Sequence, residues 1–216
     1  GLVAVATESG SHAAVALDCI AAGCNVIIEK PIALSMADAR RIVSAADAAG
    51  VTVSTNHQNR FNRSVQLARG AIDDGRLGEV YHVYVSFRAH RSIPGLGGAF
   101  TTKAIAGGGA LIDWGVHYLD LIFYIINQPK VKTVSAETYS ILGKDMPGYV
   151  YTGMWAGPPK YDGTYDVDDF VTGLIRTEGP TISVNGCWAQ NLDENATFVE
   201  FLGDKGGIKL QYGGNF

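Results

Sequence analysis

No stretch of the 216 residues stays apolar for the ~18 positions that a membrane-crossing helix needs. The richest, Leu111 to Ile126, is interrupted by Asp113, His117 and Asp120. Positive charge is not in excess: 17 Lys and Arg stand against 21 Asp and Glu, a net charge of −4. Only 18% of residues are charged, so the chain offers no basic field for nucleic acid or an anionic membrane surface. The three cysteines, Cys19, Cys24 and Cys187, are an odd number without C-x-x-C spacing. That argues against a disulfide framework or a zinc knuckle and fits a reducing compartment, the cytoplasm. A G-x-G-x-x-G loop is missing too, because Gly95 and Gly97 are followed by Phe100 and do not lie between a strand and a helix. The chain opens Gly1-Leu2-Val3-Ala4-Val5 without an initiator Met. It is expected to be a piece of a longer protein, so a missing signal peptide carries no weight.

What is present is material for a core, since 47% of residues are apolar, which excludes disorder. Residues Leu2 to Ala6 read as a fully buried parallel strand, followed by turn residues Thr7 to Ser11 and a helix with Ala13, Ala16, Leu17, Ile20 and Ala21 at helical spacing. Small polar residues are available as its N-cap, and Gly23 is placed for a left-handed stop. Asn25 to Glu29 is the next strand. Ser35 with Asp38 starts a second helix that ends at Gly50, and Val51 to Thr55 is a third strand. Strand and helix alternating with short connections imply right-handed parallel crossovers, half of a doubly wound sheet.

After Thr55 the pattern changes. Phe61 to Ile72 has helical spacing with Gly75 as its stop, and Glu79 to Arg91 alternates as a long strand with one polar face. A glycine-rich segment precedes a helix from about Ala110 to Asn127. Strands are expected at 131–139, 170–176, 181–188, 197–202 and 208–212, in an antiparallel or mixed sheet. Residues 141–166, rich in Gly, Pro and Tyr, read as a long loop that could cover a cleft. The acidic group Asp166, Asp168 and Asp169 reads as a solvated loop.

Two constellations could carry chemistry. Glu29-Lys30-Pro31 emerges at the carboxyl end of a buried parallel strand, where open α/β sheets bind ligands, although a plain strand-end ion pair would look the same. On the glycine-led helix, Asp113, His117, Asp120 and Tyr124 follow i, i+4, i+7 and i+11 beside the apolar stripe. Asp113 and His117 one turn apart can converge on one ligand atom. They can equally form a structural pair, or supply two metal ligands with His57 as a third. The turn Ser9 to His12 is a weak anion or ribose contact. His82 and His90 lie on the polar strand face, and Lys103 is a substrate contact of low specificity.

Thr7 with His12, Glu29-Lys30-Pro31, Asn59-Arg60-Phe61, and the run Gly107-Gly108-Gly109-Ala110-Leu111-Ile112-Asp113 continuing to Gly115-Val116-His117 and Asp120 together resemble the Gfo/Idh/MocA oxidoreductases. These are the relatives of glucose-fructose oxidoreductase and inositol dehydrogenase. One departure is Thr7-Glu8, where the family has Thr-Pro.

The resemblance implies an α/β fold: a partial doubly wound parallel (Rossmann) sheet in residues 1–57, then an α+β domain with an open, mainly antiparallel sheet in residues 58–216. The first is expected to be the C-terminal half of an NAD(P)-binding domain, with roughly 60 or more residues upstream. The second would bind substrate, would be truncated at its C-terminus, and would form a homo-oligomer, dimer or tetramer, through its sheet. NAD or NADP would be held by Thr7, Ser9, His12 and Glu29, together with Lys30, Pro31, Gln58 and Arg60. A sugar or polyol substrate would meet Lys30, His90, Lys103, Asp113 and His117. Neither metal, nucleic acid nor membrane is implied. The catalytic set would be Lys30, Asp113 and His117. His117 would exchange the hydroxyl proton and Lys30 would polarise the substrate oxygen, oriented by Glu29. Asp113 would orient the His117 ring or bind a neighbouring hydroxyl. The chain by itself is expected to bind cofactor weakly or not at all. A non-catalytic sugar-binding, regulatory or structural paralogue is the alternative.

Overall fold

Short β-branched runs punctuated by glycine stops build the first sheet. The computed structural model describes residues 1–150 and 153–211. Strands β1 (Leu2–Val5), β2 (Asn25–Glu29) and β3 (Val53–Asn56) pair in that order, all parallel, with Ala4 opposite Ile27 and Ile27 opposite Ser54. Helices α1 (His12–Ala21) and α2 (Met36–Ala49) connect them. Ser35 caps α2 by accepting the Asp38 N–H at 3.0 Å, and Gly50 closes it at φ 64°.

Two expectations fail here. Strand β1 is not fully buried: Val5 is inside while Leu2 is 66% exposed, and Ile27 of β2 is likewise exposed between buried Val26 and Ile28. Only one face packs, in a core of Val5, Val26 and Ile28 against Ala16, Ile20 and Ile42 of the two helices. The start of α1 also lacks a side-chain cap, because the Ser11 hydroxyl turns back to Thr7 Oγ1 (2.6 Å) and Glu8 O (2.9 Å).

After α3 (Arg63–Asp73), strand β4 (Val80–Arg88) becomes the centre of a second sheet. A short helix α4 (Lys103–Ala106) and the longer α5 (Val116–Ile125) precede strands β5 (Val131–Tyr139), β6 (Phe170–Thr177), β7 (Thr181–Cys187), β8 (Ala196–Gly203) and β9 (Gly207–Gln211). The order is β5-β6-β7-β4-β8-β9, with β4 parallel to β7 and every other pair antiparallel. The expected last strand thus falls on β9, except for Tyr212, which lies outside the described residues. Val83, Val85 and Phe87 of β4 pack against Leu121, Ile122 and Ile125 of α5 and Val65 of α3 in the largest core. The opposite face of β4 is polar but paired: Ser86 is buried and donates to Ala196 O, and His82 Nδ1 lies 2.7 Å from Thr181 Oγ1. Among the described residues no helix is long and apolar enough to cross a membrane.

The glycine-led helix does not begin as an α-helix. Leu111–Gly115 is a π-helical turn, continued by α5. Its start is pinned from a distance by Asp168, whose carboxylate accepts the N–H groups of Gly109 (2.8 Å) and Leu111 (3.0 Å) while its carbonyl accepts that of Ala110. The free N–H groups and dipole of a helix start favour an anion there. Asp169 is buried and accepts from Ile141 and Gly143, and Asp166 accepts from Lys103 N. The acidic group is therefore a set of backbone clamps and not a solvated loop. Burial raises the Asp169 pKa against these donors.

Close approach explains Gly109. A Cβ there would lie 1.8 Å from Asp168 O, whereas one at Gly98 meets nothing within 4 Å. Gly109→Ala is expected to destabilise the fold by about 1–3 kcal/mol, the usual cost of overpacking, with Gly98→Ala much closer to neutral. Urea denaturation of the two variants beside the wild type checks this, and equal stabilities would contradict the clamp.

Candidate active site

Lys30 leaves the carboxyl end of β2 beside a cis Lys30–Pro31 peptide, and its side chain crosses to the π-helical turn of the second unit. Its Nζ donates to Asp113 Oδ1 at 2.7 Å and to Asp113 O at 2.8 Å. An ammonium has three N–H bonds, so one remains for a ligand. The pair is largely withdrawn from water, the two side chains being 16% and 9% exposed. The other Asp113 oxygen accepts the indole N–H of Trp188 at 3.2 Å, and Trp188 is fully buried. Asp113 is thus held by Lys30 and Trp188, and neither oxygen is bonded to His117. Glu29 does not touch the Lys30 ammonium either. Its carboxylate accepts from Asn56 Nδ2 (2.6 Å) and from the Lys30 backbone N–H (3.3 Å), so the expected orientation of Lys30 by Glu29 runs through the main chain.

Two cavities meet at this pair. One, of about 440 Å³, lies outside the ends of β1 and β2, with Thr7, Ser9, Glu29, Pro31, Phe100 and Gly108 among its walls. The other, of about 610 Å³, is lined by Gln58, Ser92, His117, Asn195 and Thr197 with other residues. Lys30, Asp113 and Trp155 line both.

His117 shares the second cavity with Lys30 and Asp113, and among the described residues its ring has no hydrogen-bond partner. Burial, helped by the Lys30 ammonium, lowers its pKa from 6.5 to about 4, against the opposing pull of Asp113. The ring is neutral near pH 7. Behind it, burial also lowers the His57 pKa. His57 Nδ1 is buried without a hydrogen bond, 3.6 Å from Asp120 Oδ2. Asp120 is clamped by Arg60, whose Nε donates at 2.8 Å and whose Nη2 bonds the other oxygen.

The remaining predicted site residues divide. Thr7, Ser9, His12, Glu29 and Pro31 line the first cavity. The buried His12 ring is held between Pro31 O (2.8 Å) and Thr7 O (3.0 Å), so it also ties the two strand exits together. Gln58 lines the second cavity. Arg60, His90 and Lys103 line neither: Arg60 is spent on Asp120, His90 Nδ1 lies 2.9 Å from Leu192 O, and Lys103 is exposed. Among the described residues no three His, Cys, Asp or Glu side chains are grouped as a metal ion would need. Trp188, Trp155, Asn195 and Thr197 are not among the site residues expected from sequence. A buried Trp needs an acceptor for its N–H, which was the one available signal for Trp188.

Comparison with known proteins agrees with this layout. A model of the GFO/IDH/MocA C-terminal domain matches residues 65–209, and a model described as oxidoreductase family, NAD-binding Rossmann fold, matches residues 1–57. The chain is 32% identical to D-glucoside 3-dehydrogenase of Escherichia coli (strain K12) over 97% of its own length and 58% of that protein. It superposes with a TM-score of 0.78 on GenD2 from gentamicin A biosynthesis, solved in complex with NAD, at 30% identity over 97% of this chain and 54% of that one. An oxidoreductase domain protein from Kribbella flavida gives a TM-score of 0.82 at 27% identity, again over 97% and 54%. The chain therefore spans a little over half the length of these relatives. Because the C-terminal model alone covers more than half of its residues, the chain belongs to the GFO/IDH/MocA oxidoreductase family.

Proposed function

We propose that the whole protein carrying this chain is an NAD(P)-dependent oxidoreductase acting on a secondary alcohol, or its carbonyl, of a sugar, polyol or related small molecule. The observation that carries this reading is the Lys30–Asp113 pair on the wall shared by two cavities, one polar ligand group facing both. The family, the dehydrogenase activity named for the Escherichia coli relative and the NAD in the GenD2 complex support it.

The first cavity suits the nicotinamide-ribose half of the cofactor. It sits outside the carboxyl ends of parallel strands, with small residues Ala6, Ala99, Ala106 and Gly108 for a flat ring and Thr7, Ser9 and Lys30 for ribose hydroxyls. Bound NAD(P) supplies the hydride chemistry. In the oxidation direction Lys30 Nζ donates its remaining N–H to the substrate oxygen, and its charge favours the alkoxide-like state. The hydroxyl proton passes to a ring nitrogen of His117, which is neutral and so able to accept it. Asp113 fixes Lys30 in place, and Trp188 fixes Asp113. The reading extends to a cytoplasmic homo-oligomer, supported by three free cysteines and by the wholly exposed strand β5 at one edge of the open sheet.

In the whole protein His117→Ala is expected to lower kcat by about 10²–10⁴ with cofactor affinity nearly intact, because general acid–base help is felt in the transition state. Lys30→Ala should lose turnover and cofactor affinity together. Steady-state kinetics on a panel of sugars and polyols, per cofactor-competent molecule, reads both. Normal turnover in His117→Ala would remove it from the chemistry, and a wild type inactive across the panel would favour the binding-only paralogue.

The burial of His117 has a second consequence. Its folded pKa of about 4 lies below the unfolded value of 6.5. Between these values the unfolded chain binds more protons, so stability falls as pH drops from about 6.5 towards 4. His117→Gln should therefore lose less stability than the wild type between pH 7 and pH 5 in denaturant titrations. An equal loss would mean that the ring protonates without cost in the folded state.

A further inference from the structure

Trp155 is 69% exposed, yet its backbone is not loose. Met154 beside it is buried in a second apolar cluster with Ile93, Leu96 and Trp188. Ala156 N donates to Pro94 O at 3.0 Å and Lys160 N to Leu96 O at 2.9 Å, lacing this loop to residues 92–101. The indole packs edge-on against Phe100, with centroids 4.8 Å apart and planes at 73°. A fixed loop thus presents an indole on the wall common to both cavities, beside the Lys30–Asp113 pair. An indole on a cavity wall offers a flat apolar face to whatever enters the cavity.

The rest of the second cavity indicates what. Beside Ala89, Trp114 and Tyr118, the residues Gln58, Asn59, Ser92, Asn195 and Thr197 bring amide and hydroxyl groups that can donate and accept hydrogen bonds. A ring carrying hydroxyls around its rim and C–H bonds on its face satisfies such a wall and a flat apolar platform at once. A flexible open-chain polyol has no such face. We propose that Trp155 is the platform for the C–H face of a cyclic sugar or cyclitol, and so a specificity-determining residue that selects ring substrates over open-chain ones. This rests on the second cavity being the substrate site of the proposed reaction. Because the platform is preorganised, stacking needs little further ordering of the protein.

The test is equilibrium binding by isothermal titration calorimetry in the whole protein, with methyl glucopyranoside, myo-inositol and the open-chain alditol sorbitol as probes, with and without NADH. The wild type should bind at least one ring probe, and sorbitol more weakly. Trp155→Ala should weaken ring binding about tenfold, as loss of several tens of Å² of apolar contact implies. Trp155→Phe should restore most of it, and Trp155→Leu, apolar but without a flat face, should not. In turnover the Ala variant should raise KM for the ring substrate far more than it lowers kcat. Ring affinity unchanged in Trp155→Ala, or restored equally by Leu and Phe, overturns the proposal. So does a wild type that binds sorbitol as well as either ring. A protein that binds ring probes through Trp155 but is inactive across the whole panel of sugars and polyols supports the platform while refuting the proposed reaction, so the two failures are distinct.

Discussion

The Lys30–Asp113 ion pair joins the two halves of this molecule at the point where chemistry is proposed. Lys30 and Asp113 are 83 positions apart in sequence, one at the end of a parallel strand and the other in a π-helical turn, and they meet at 2.7 Å. Withdrawing two charges from water costs several kcal/mol each, and the mutual attraction does no more than offset it in many proteins. The pair is therefore poor evidence of a stabilising device. Much of the surrounding architecture holds it in place. Asp168 pins the start of the turn that carries Asp113, Trp188 takes the second carboxylate oxygen, and His12 ties the Pro31 exit beside Lys30 back to Thr7.

The same ammonium adds to the effect of burial on its neighbour. His117 is driven towards its neutral form first by burial and then by the Lys30 charge, so a proton acceptor and a cationic hydrogen-bond donor coexist in one cavity without competing for the same charge. Behind them Arg60 neutralises Asp120, which leaves His57 beside an already satisfied carboxylate. The acidic and basic groups of this helix face are consequently sorted into separate layers, with the Arg60–Asp120 pair behind and the Lys30–Asp113 pair at the cavities.

Much of the frame was legible from sequence because local physics determines it. Strand β2 falls on Asn25–Glu29, bounded by Gly23 and Pro31, and α2 begins at its Ser35 cap and ends at Gly50. Lys30, Asp113 and His117 could be singled out from a strand end and a helical spacing. The network between them could not. An i, i+4 spacing assumes an α-helix, while Leu111–Gly115 is a π-helical turn and the Asp113 carboxylate is taken by Lys30 and Trp188. Asp168 looked like loop acid because its partners, Gly109 and Leu111, lie more than fifty residues earlier. The exposed face of β1 was hidden for a related reason, since an apolar run shows that a strand exists but not which of its faces has a partner.

Whether Lys30 and Asp113 act as one unit is tested most directly by a double-mutant cycle on kcat/KM in the whole protein, with Lys30→Met, Asp113→Asn and the double variant. If Asp113 works by holding Lys30, the double variant loses about as much as the worse of the two single variants. Losses that simply multiply would show two independent groups and would contradict the ion pair as the centre of the site.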